Sequence, residues 1–306
     1  LNMNKGLLKC NILLLITSAI WGFAFIAQRV GMNYVGAFTF NGVRFALGAF
    51  SLVPLIIFYN ENGKNKEENR TSKSVFLSGL FTGLILFLAS SFQQVGLIET
   101  TAAKAAFITG LYIVFVPIMG IFLKRHIGMS SWFGAVIAVI GLYFLCVTNN
   151  FSISYSDLLE LGSAFFFAIQ IILIDIFSKK FDTLKLAFFQ FITCSVLSLI
   201  TATLFENITM NGILQAAIPI LYGGIFSVGI AYTLQIFAQK NAEPTHAAII
   251  MSMESVFATI GGFLVLNEYL SLRAIFGCIL MFTGMIICQM KSGESCNEKV
   301  EACKKR

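Results

Sequence analysis

The chain has 306 residues, of which 57% are hydrophobic and only 12% are charged. A composition this apolar, with 32 Phe residues, excludes a protein whose main solvent is water. The net charge of +6 comes from 21 Lys and Arg residues against 15 Asp and Glu residues. These charges are concentrated between long apolar segments, so we attribute them to membrane topology rather than to nucleic-acid binding.

Ten apolar segments follow one another along the chain. Each approaches the length of about 20 residues that a helix needs to cross roughly 30 Å of hydrocarbon. The predicted helices lie at 10–28, 37–58, 74–93, 103–123, 131–148, 158–177, 184–205, 215–238, 245–266 and 273–290. Barrel strands alternate in polarity, whereas these segments are continuously apolar. The sequence therefore predicts an all-α membrane protein with ten transmembrane helices.

Lys and Arg favour every second gap between these segments. If the N-terminus is cytoplasmic, only Arg29, Arg44, Lys104 and Arg273 fall on the outer side or in the outer half of a helix. Cytoplasmic loops carry the excess of Lys and Arg in membrane proteins. Both termini are therefore expected in the cytoplasm, and the chain is expected to be a multi-pass protein of the plasma membrane.

Motifs of catalysis and cofactor binding do not occur in the sequence. It has no P-loop, no His-Glu-x-x-His and no Gly-x-Ser-x-Gly motif. The two histidines, His126 and His246, and the seven cysteines form no Cys-x-x-Cys pair and no zinc-ligand spacing. We therefore expect no enzyme activity, no cofactor and no metal site.

The two halves of the sequence resemble each other. Residues 102–144 align without a gap with residues 245–287, at a constant offset of 143. The alignment pairs Ala105 with Ala248, Gly134 with Gly277, and Gly141 with Gly284. The predicted units are a first five-helix repeat at 1–150, a second at 151–290, and a cytoplasmic tail at 291–306.

A repeat with an odd number of spans must insert its second copy upside down. The charges agree, because Lys124-Arg125 after the fourth helix aligns with Asn267-Glu268 after the ninth. Inverted repeats are typical of secondary transporters, which expose a central site alternately to the two sides of the membrane. The alternative is duplication without transport. Pro117 and Gly261-Gly262 are expected to interrupt equivalent helices of the two halves.

Several motifs resemble those of the drug/metabolite transporter superfamily, specifically its EamA-type members. They are WGFAF at 21–25, FNGVRF at 40–45, AFITGLY at 106–112 continuing to Pro117, ESVFA at 254–258, and Asn267-Glu268. The sequence departs from the family pattern at Ser255, where Pro is usual, and at Lys124-Arg125, where Gly-Glu is usual. The resemblance implies alternating access and a cavity formed by helices 1, 3, 4, 6, 8 and 9. It also favours export of amino acids or related metabolites, with drug efflux as an alternative.

Charged residues inside predicted helices are the first candidates for a substrate site. Glu254 lies near the centre of the ninth helix, where a carboxylate costs at least a few kcal/mol unless it meets water, a partner or a proton. It could bind a substrate amine or carry a coupling proton, or it could be a structural group bonded to another helix. Arg44 and Lys104 could attract an anionic group, or they could extend to the lipid headgroups.

Uncharged polar and aromatic residues complete the predicted substrate-binding set. They are Trp21, Tyr112, Gln170, Tyr232 and Gln235, with Gln239 on the same face as the last two. A polar stripe on an apolar helix faces a cavity or bonds to another helix. Trp21 is unusual at mid-span, because Trp favours the membrane interfaces; it could line a cavity or pack in the core.

These observations favour a secondary transporter of a small organic metabolite. No ATP-binding motif occurs, so the energy is expected from a gradient, with proton coupling through Glu254 or passive exchange. A nucleotide-sugar or sugar-phosphate carrier is an alternative, because Lys104, Arg44 and Lys240 could bind phosphate. A membrane scaffold that does not transport is the other. Substrate identity, direction of flux, coupling ion and oligomeric state stay open.

Overall fold

A computed structural model describes residues 5–61, 72–124, 128–146, 154–266, 271–273 and 275–287. The helices are α1 Lys5–Gly31, α2 Ala37–Glu61, α3 Ser72–Gly96, α4 Ala102–Gly110, α5 Tyr112–Phe122, α6 Met129–Cys146, α7 Tyr155–Ser178, α8 Thr183–Phe205, α9 Met210–Gln215, α10 Ala217–Leu221, α11 Thr233–Gln239, α12 Pro244–Met251, α13 Glu254–Leu266 and α14 Ile275–Ile287. A π-helical segment, Tyr222–Tyr232, joins α10 to α11. The described residues contain no strand, so the predicted all-α class is confirmed.

Each predicted segment overlaps a helical stretch of the structure. Eight stretches are long and apolar enough to cross a membrane, whereas those at Met129–Phe144 and Ile275–Ile287 are shorter. The chain is therefore a multi-pass membrane protein, and the count of ten spans stays a prediction. The predicted tail at 291–306 and the residues Asn267-Glu268 lie outside the described residues.

The outer faces of the helices carry large apolar side chains that are exposed. Phe122, Leu204 and Ile218 are 83%, 72% and 82% exposed. Polar side chains such as Asn41, Gln94 and Gln190 are instead fully buried. Water would make this arrangement unstable, but a bilayer solvates the apolar faces and leaves polar groups to bond inside the bundle.

Two of the long apolar stretches are broken near their centres. The first break is at Leu111, between α4 and α5, and the second is at Ser252 and Met253, between α12 and α13. At both breaks, some N–H groups bond to the carbonyl three residues earlier instead of four residues earlier, which tightens the helix. The Leu111 N–H, for example, donates to the Ile108 carbonyl at 3.1 Å.

The breaks predicted at Pro117 and at Gly261-Gly262 are wrong in position. Helix α5 continues through Pro117 and α13 continues through both glycines. Proline lacks an N–H and loses one bond to the residue four positions earlier. In α5 that residue is Ile113, so one carbonyl of the first turn loses its regular partner while the helix continues to Phe122.

Close backbone contacts through glycine hold the helices against one another. A Cβ atom on Gly22 of α1 would lie 2.7 Å from the Glu254 carbonyl oxygen of α13. In the same way, a Cβ on Gly141 of α6 would lie 2.7 Å from the Gly277 carbonyl oxygen of α14. Small residues permit such approaches between membrane helices, and the contact of Gly22 fixes the position of the start of α13.

Candidate functional site

A cavity with about 430 Å³ of empty space lies in the centre of the bundle, beside both helix breaks and the π-helical segment. It is lined by Trp21, Ala24, Phe25, Gln28, Arg44, Gln93, Thr109, Tyr112, Phe167, Gln170, Ile171, Ser227, Tyr232, Gln235 and Glu254. All seven predicted site residues are among them: Trp21, Arg44, Tyr112, Gln170, Tyr232, Gln235 and Glu254. The structure thus brings these seven together, and their contact with a substrate stays a prediction.

Glu254 is the first residue of α13 and is only 3% exposed. Its position at a helix N-terminus suits a carboxylate, because the helix dipole is positive there. Tyr112 begins α5 at the other break, and its hydroxyl lies beside the Glu254 side chain. Within the described part of the chain, neither the Tyr112 hydroxyl nor Glu254 Oε1 has a hydrogen-bond partner. Both groups therefore have capacity for a ligand.

Arg44 is buried in α2 and is 2% exposed. Its guanidinium carbon lies 5.6 Å from the centre of the Phe40 ring and 5.0 Å from that of Phe45. These rings stabilise the cation and fix its direction. Among the described residues no carboxylate pairs with Arg44, and its Nε has no hydrogen-bond partner. A cation held in this way can accept an anionic group of a ligand.

Four neutral residues form two cross-links within the cavity wall. Gln235 Nε2 donates to Gln170 Oε1 at 3.2 Å, and the Trp21 indole N–H donates to the Ser227 carbonyl at 3.2 Å. The Trp21 and Tyr232 rings are 4.7 Å apart between centres. Gln170 Nε2 and Gln235 Oε1 have no partner among the described residues. The glutamines thus bond to each other and still present free polar atoms.

Two other candidates do not line the cavity. Lys104 Nζ donates to Asp157 Oδ2 at 2.8 Å, which joins the starts of α4 and α7. Gln239 donates to the Ile171 carbonyl at 3.3 Å. Lys240, the third cation of the phosphate-carrier alternative, is likewise not a lining residue. Arg44 is therefore the only basic residue in the described wall of the cavity.

Several polar groups of the site were missed by sequence reasoning. Helix α2 contributes to the cavity through the predicted residue Arg44, although the list of cavity-forming helices that the family resemblance implied omitted the second helix. Gln28, Gln93 and Thr109 also line it. Glu160 is fully buried and accepts a hydrogen bond from the Thr109 hydroxyl at 2.9 Å. Glu160 lies inside the predicted sixth helix, and its carboxyl group in a membrane span indicated a functional residue in the same way as that of Glu254.

Ser255 occupies the position where the family usually has Pro. Its hydroxyl donates to the Ala106 carbonyl of α4 at 2.7 Å. A Cβ on Gly110 would lie 3.1 Å from the Ser255 hydroxyl oxygen. The serine therefore connects the two broken spans directly beside Glu254.

The model of the EamA-like transporter family matches residues 8–147 and 154–289. The chain belongs to this family. An uncharacterized transporter of Archaeoglobus fulgidus is 30% identical over 91% of this chain and 85% of its own length. The uncharacterized transporter YoaV of Bacillus subtilis is 23% identical over 88% and 92%. A chloroplastic WAT1-related protein of Arabidopsis thaliana is 24% identical over 89% and 67%.

The fold of this EamA-family chain also occurs among solved structures. One crystal structure superimposes with a TM-score of 0.75, covering 92% of this chain and 96% of the other at 17% identity. At that identity the likeness supports the fold alone. Family membership makes the chain a membrane transporter of the drug/metabolite transporter superfamily.

Proposed function

We propose that this protein is a secondary transporter of a zwitterionic metabolite, an amino acid or a close relative, and that it works by alternating access in the export direction. The observation that carries the proposal is that Arg44 and Glu254, whose ionised side chains have opposite charges, line one cavity without pairing with each other. Buried charges without partners are unfavourable. A ligand that carries both a carboxylate and an ammonium group compensates both of them.

The wall between the two charges suits an apolar or aromatic side chain. Trp21, Phe25, Phe167 and Tyr232 provide ring surfaces, and the glutamine pair provides polar contacts. A sugar phosphate is less well matched, because its phosphate would meet one cation and one carboxylate.

We infer two inverted repeats, at 1–150 and 151–290, with a tail at 291–306; in many transporters alternating access works by rocking one such repeat against the other. The family model matches two similar ranges. Gly141 contacts Gly277, and Gly284 contacts Gly134. Because the repeat alignment pairs 141 with 284 and 134 with 277, each contact is the copy of the other.

The direction of these contacts supports inversion. Early residues of α6 meet late residues of α14, so the two helices are antiparallel. Two antiparallel helices that are copies of each other are related by an axis perpendicular to their length, which then lies in the membrane plane. The α2–α8 pair repeats this arrangement, because Phe45 contacts Phe191, and Thr39 contacts Glu206 farther out.

We further propose a plasma-membrane location with both termini in the cytoplasm, on the Lys and Arg distribution given above. Single cysteines introduced near the chain ends, in a variant that lacks the native cysteines, test this orientation with an impermeant thiol reagent. Labelling only after the cells are permeabilised is expected. Labelling of intact cells would reverse the orientation.

Counterflow in proteoliposomes tests the function. Vesicles that contain the purified chain are loaded with one unlabelled compound, and uptake of the labelled form is followed. The panel contains amino acids, amines, carboxylic acids, sugars and sugar phosphates. Saturable counterflow of amino acids is expected, with a large loss in Glu254→Gln and in Arg44→Gln.

The matched control is Asp175→Asn, which alters a buried carboxyl of α7 that bonds to Lys179 outside the cavity. It is expected to preserve counterflow. Counterflow of sugar phosphates but not of amino acids would favour the phosphate-carrier alternative. If no member of the panel exchanges, the transport proposal for these classes is wrong.

A further inference from the structure

A second buried carboxyl group lies directly behind the cavity wall. Glu160 of α7 is fully buried and is not a lining residue. The Thr109 hydroxyl, which does line the cavity, donates to Glu160 Oε2 at 2.9 Å. Gln93 Nε2 donates to the same threonine oxygen at 3.4 Å. One hydroxyl group therefore separates the Glu160 carboxyl from the cavity.

The other oxygen of this carboxyl group has no partner among the residues that the structure describes. Glu160 Oε1 accepts no hydrogen bond, and no Lys, Arg or His side chain pairs with Glu160, within the ranges that the structure describes. Gly96 at the end of α3 leaves space for it, because a Cβ there would lie 3.0 Å from Oε1. A buried carboxylate without a cation is costly, and binding of a proton removes that cost.

The ionisable groups around Glu160 are mostly acidic. Asp157 lies three residues earlier on the same helix, and Glu254 of α13 lines the same cavity as Thr109, to which Glu160 bonds. Lys104 of α4 bonds to Asp157 instead. The other ionisable side chains on α7 and the elements packed against it are Tyr155 and Asp175 of α7; Lys73 of α3; Glu99, which bonds to Ser156; Tyr112 of α5; Lys185 and Cys194 of α8; and His246 of α12, which bonds to Asn11. Glu254 is thus the one carboxyl group in the described cavity wall, which it shares with the Thr109 hydroxyl that bonds to Glu160.

We propose that Glu160 is a proton-binding site that releases its proton when a substrate ammonium group binds beside Glu254. The idea rests on the proposed function, because it needs a cationic group of the substrate at Glu254. The ammonium group offsets the negative charge of Glu254. The repulsion between Glu254 and an ionised Glu160 then decreases, which favours the ionised form of Glu160. Substrate binding and proton binding then oppose each other.

Thr109 provides the route for the proton. In the structure the Thr109 hydroxyl donates to Glu160 Oε2, so release requires the hydroxyl to rotate until it accepts from the protonated Oε2 and donates to a water molecule in the cavity. The Glu160 O–H proton then passes to Thr109 Oγ1 while the threonine proton passes to that water molecule. Glu160 becomes a carboxylate, the water becomes hydronium, and Thr109 is unchanged. The reverse transfer restores the acid. A carrier with this property exchanges one substrate for one proton, so an inward proton gradient drives export.

Proton release during binding tests the proposal. Purified protein in weakly buffered detergent is mixed with leucine near its isoelectric pH, where the free amino acid neither takes up nor releases protons. We expect a release that approaches one proton for each bound leucine. Glu160→Gln is expected to abolish the release and to keep leucine counterflow, since Glu160 does not line the cavity. Asp175→Asn is the control and keeps both.

The linking hydroxyl is tested by a pair of variants. Thr109→Ser is expected to preserve the proton exchanged for leucine, whereas Thr109→Val, of similar shape, is expected to lose it. Undiminished proton release in Glu160→Gln would overturn the proposal. Loss of leucine counterflow in a folded Glu160→Gln protein would also overturn it, because the residue would then hold the substrate site together.

A second measurement separates this proposal from the proposed function. The infrared C=O stretching band of a protonated carboxylic acid is compared between the parent protein and Glu160→Gln across a pH titration. A band that titrates and that is missing from the variant supports proton binding, even if leucine proves not to be a substrate. If the two spectra do not differ at any pH, Glu160 exchanges no proton and the proposal fails.

Discussion

Replacing Gly141 by Ala gives a direct measure of how closely α6 and α14 approach. The added methyl group would lie 2.7 Å from both the Gly277 carbonyl oxygen and the Met281 amide nitrogen. These are backbone atoms and cannot move aside without moving the helix. Overpacking of this kind costs about 1–3 kcal/mol, so we expect a lower unfolding midpoint for the purified protein in detergent.

The repeat relationship makes this expectation sharper. Gly284→Ala places its methyl group 2.6 Å from the Gly134 carbonyl oxygen, and it should cost a similar amount. In the double variant the first methyl has already separated the helices, so the second should cost less than it does alone. Gly162→Ala is the control, because its nearest neighbour is a Phe92 ring atom at 3.4 Å, an ordinary contact. A Gly141→Ala protein as stable as the Gly162→Ala protein would refute the reasoning.

Three further changes test other parts of the structure. Glu206 accepts hydrogen bonds from the Phe38 and Thr39 amides at 2.8 Å and caps α2. Glu206→Ala should therefore lower the free energy of unfolding by about 2 kcal/mol. An unchanged unfolding midpoint would contradict the cap. Ser255→Pro falls in the first turn of α13, where Pro is tolerated, and should cost no more than about 2 kcal/mol in the same unfolding experiment, the worth of the two lost hydrogen bonds to the Ala106 and Ser252 carbonyls. In a Trp132→Phe background, substrate should alter the fluorescence of Trp21, and an emission spectrum unchanged by saturating substrate would remove Trp21 from the binding site.

The helical class and the approximate helix positions follow from the sequence because lipid imposes one rule. Every backbone group must bond within its own segment, so a continuous apolar run becomes a helix. The positions of the breaks do not follow in this way. Pro117 has the stronger local signal, yet the chain breaks at Leu111, where α4 and α5 meet the cavity. Contacts between helices decide this, and a single segment does not contain them.

The sequence predicted those residues of the candidate site that are energetically unfavourable in a membrane whatever surrounds them. Glu254, Arg44 and the glutamines stand out because polar groups are rare in lipid. Lys104 met the same criterion, but its partner Asp157 lies 53 positions away in the chain. Which polar residues pair, and which stay free for a ligand, depends on distances that the sequence does not contain.

The central claim is that Glu254 and Arg44 recognise the two charged groups of one substrate. Competition against leucine counterflow tests it most directly, with the amine that lacks the carboxylate and the acid that lacks the amine as competitors. Loss of a buried charge partner costs about 2–5 kcal/mol, or roughly a 30-fold loss of affinity or more. We expect Glu254→Gln to weaken leucine and the amine by that factor and to spare the acid, and Arg44→Gln to do the converse. Equal weakening of all three ligands by both variants would contradict the claim.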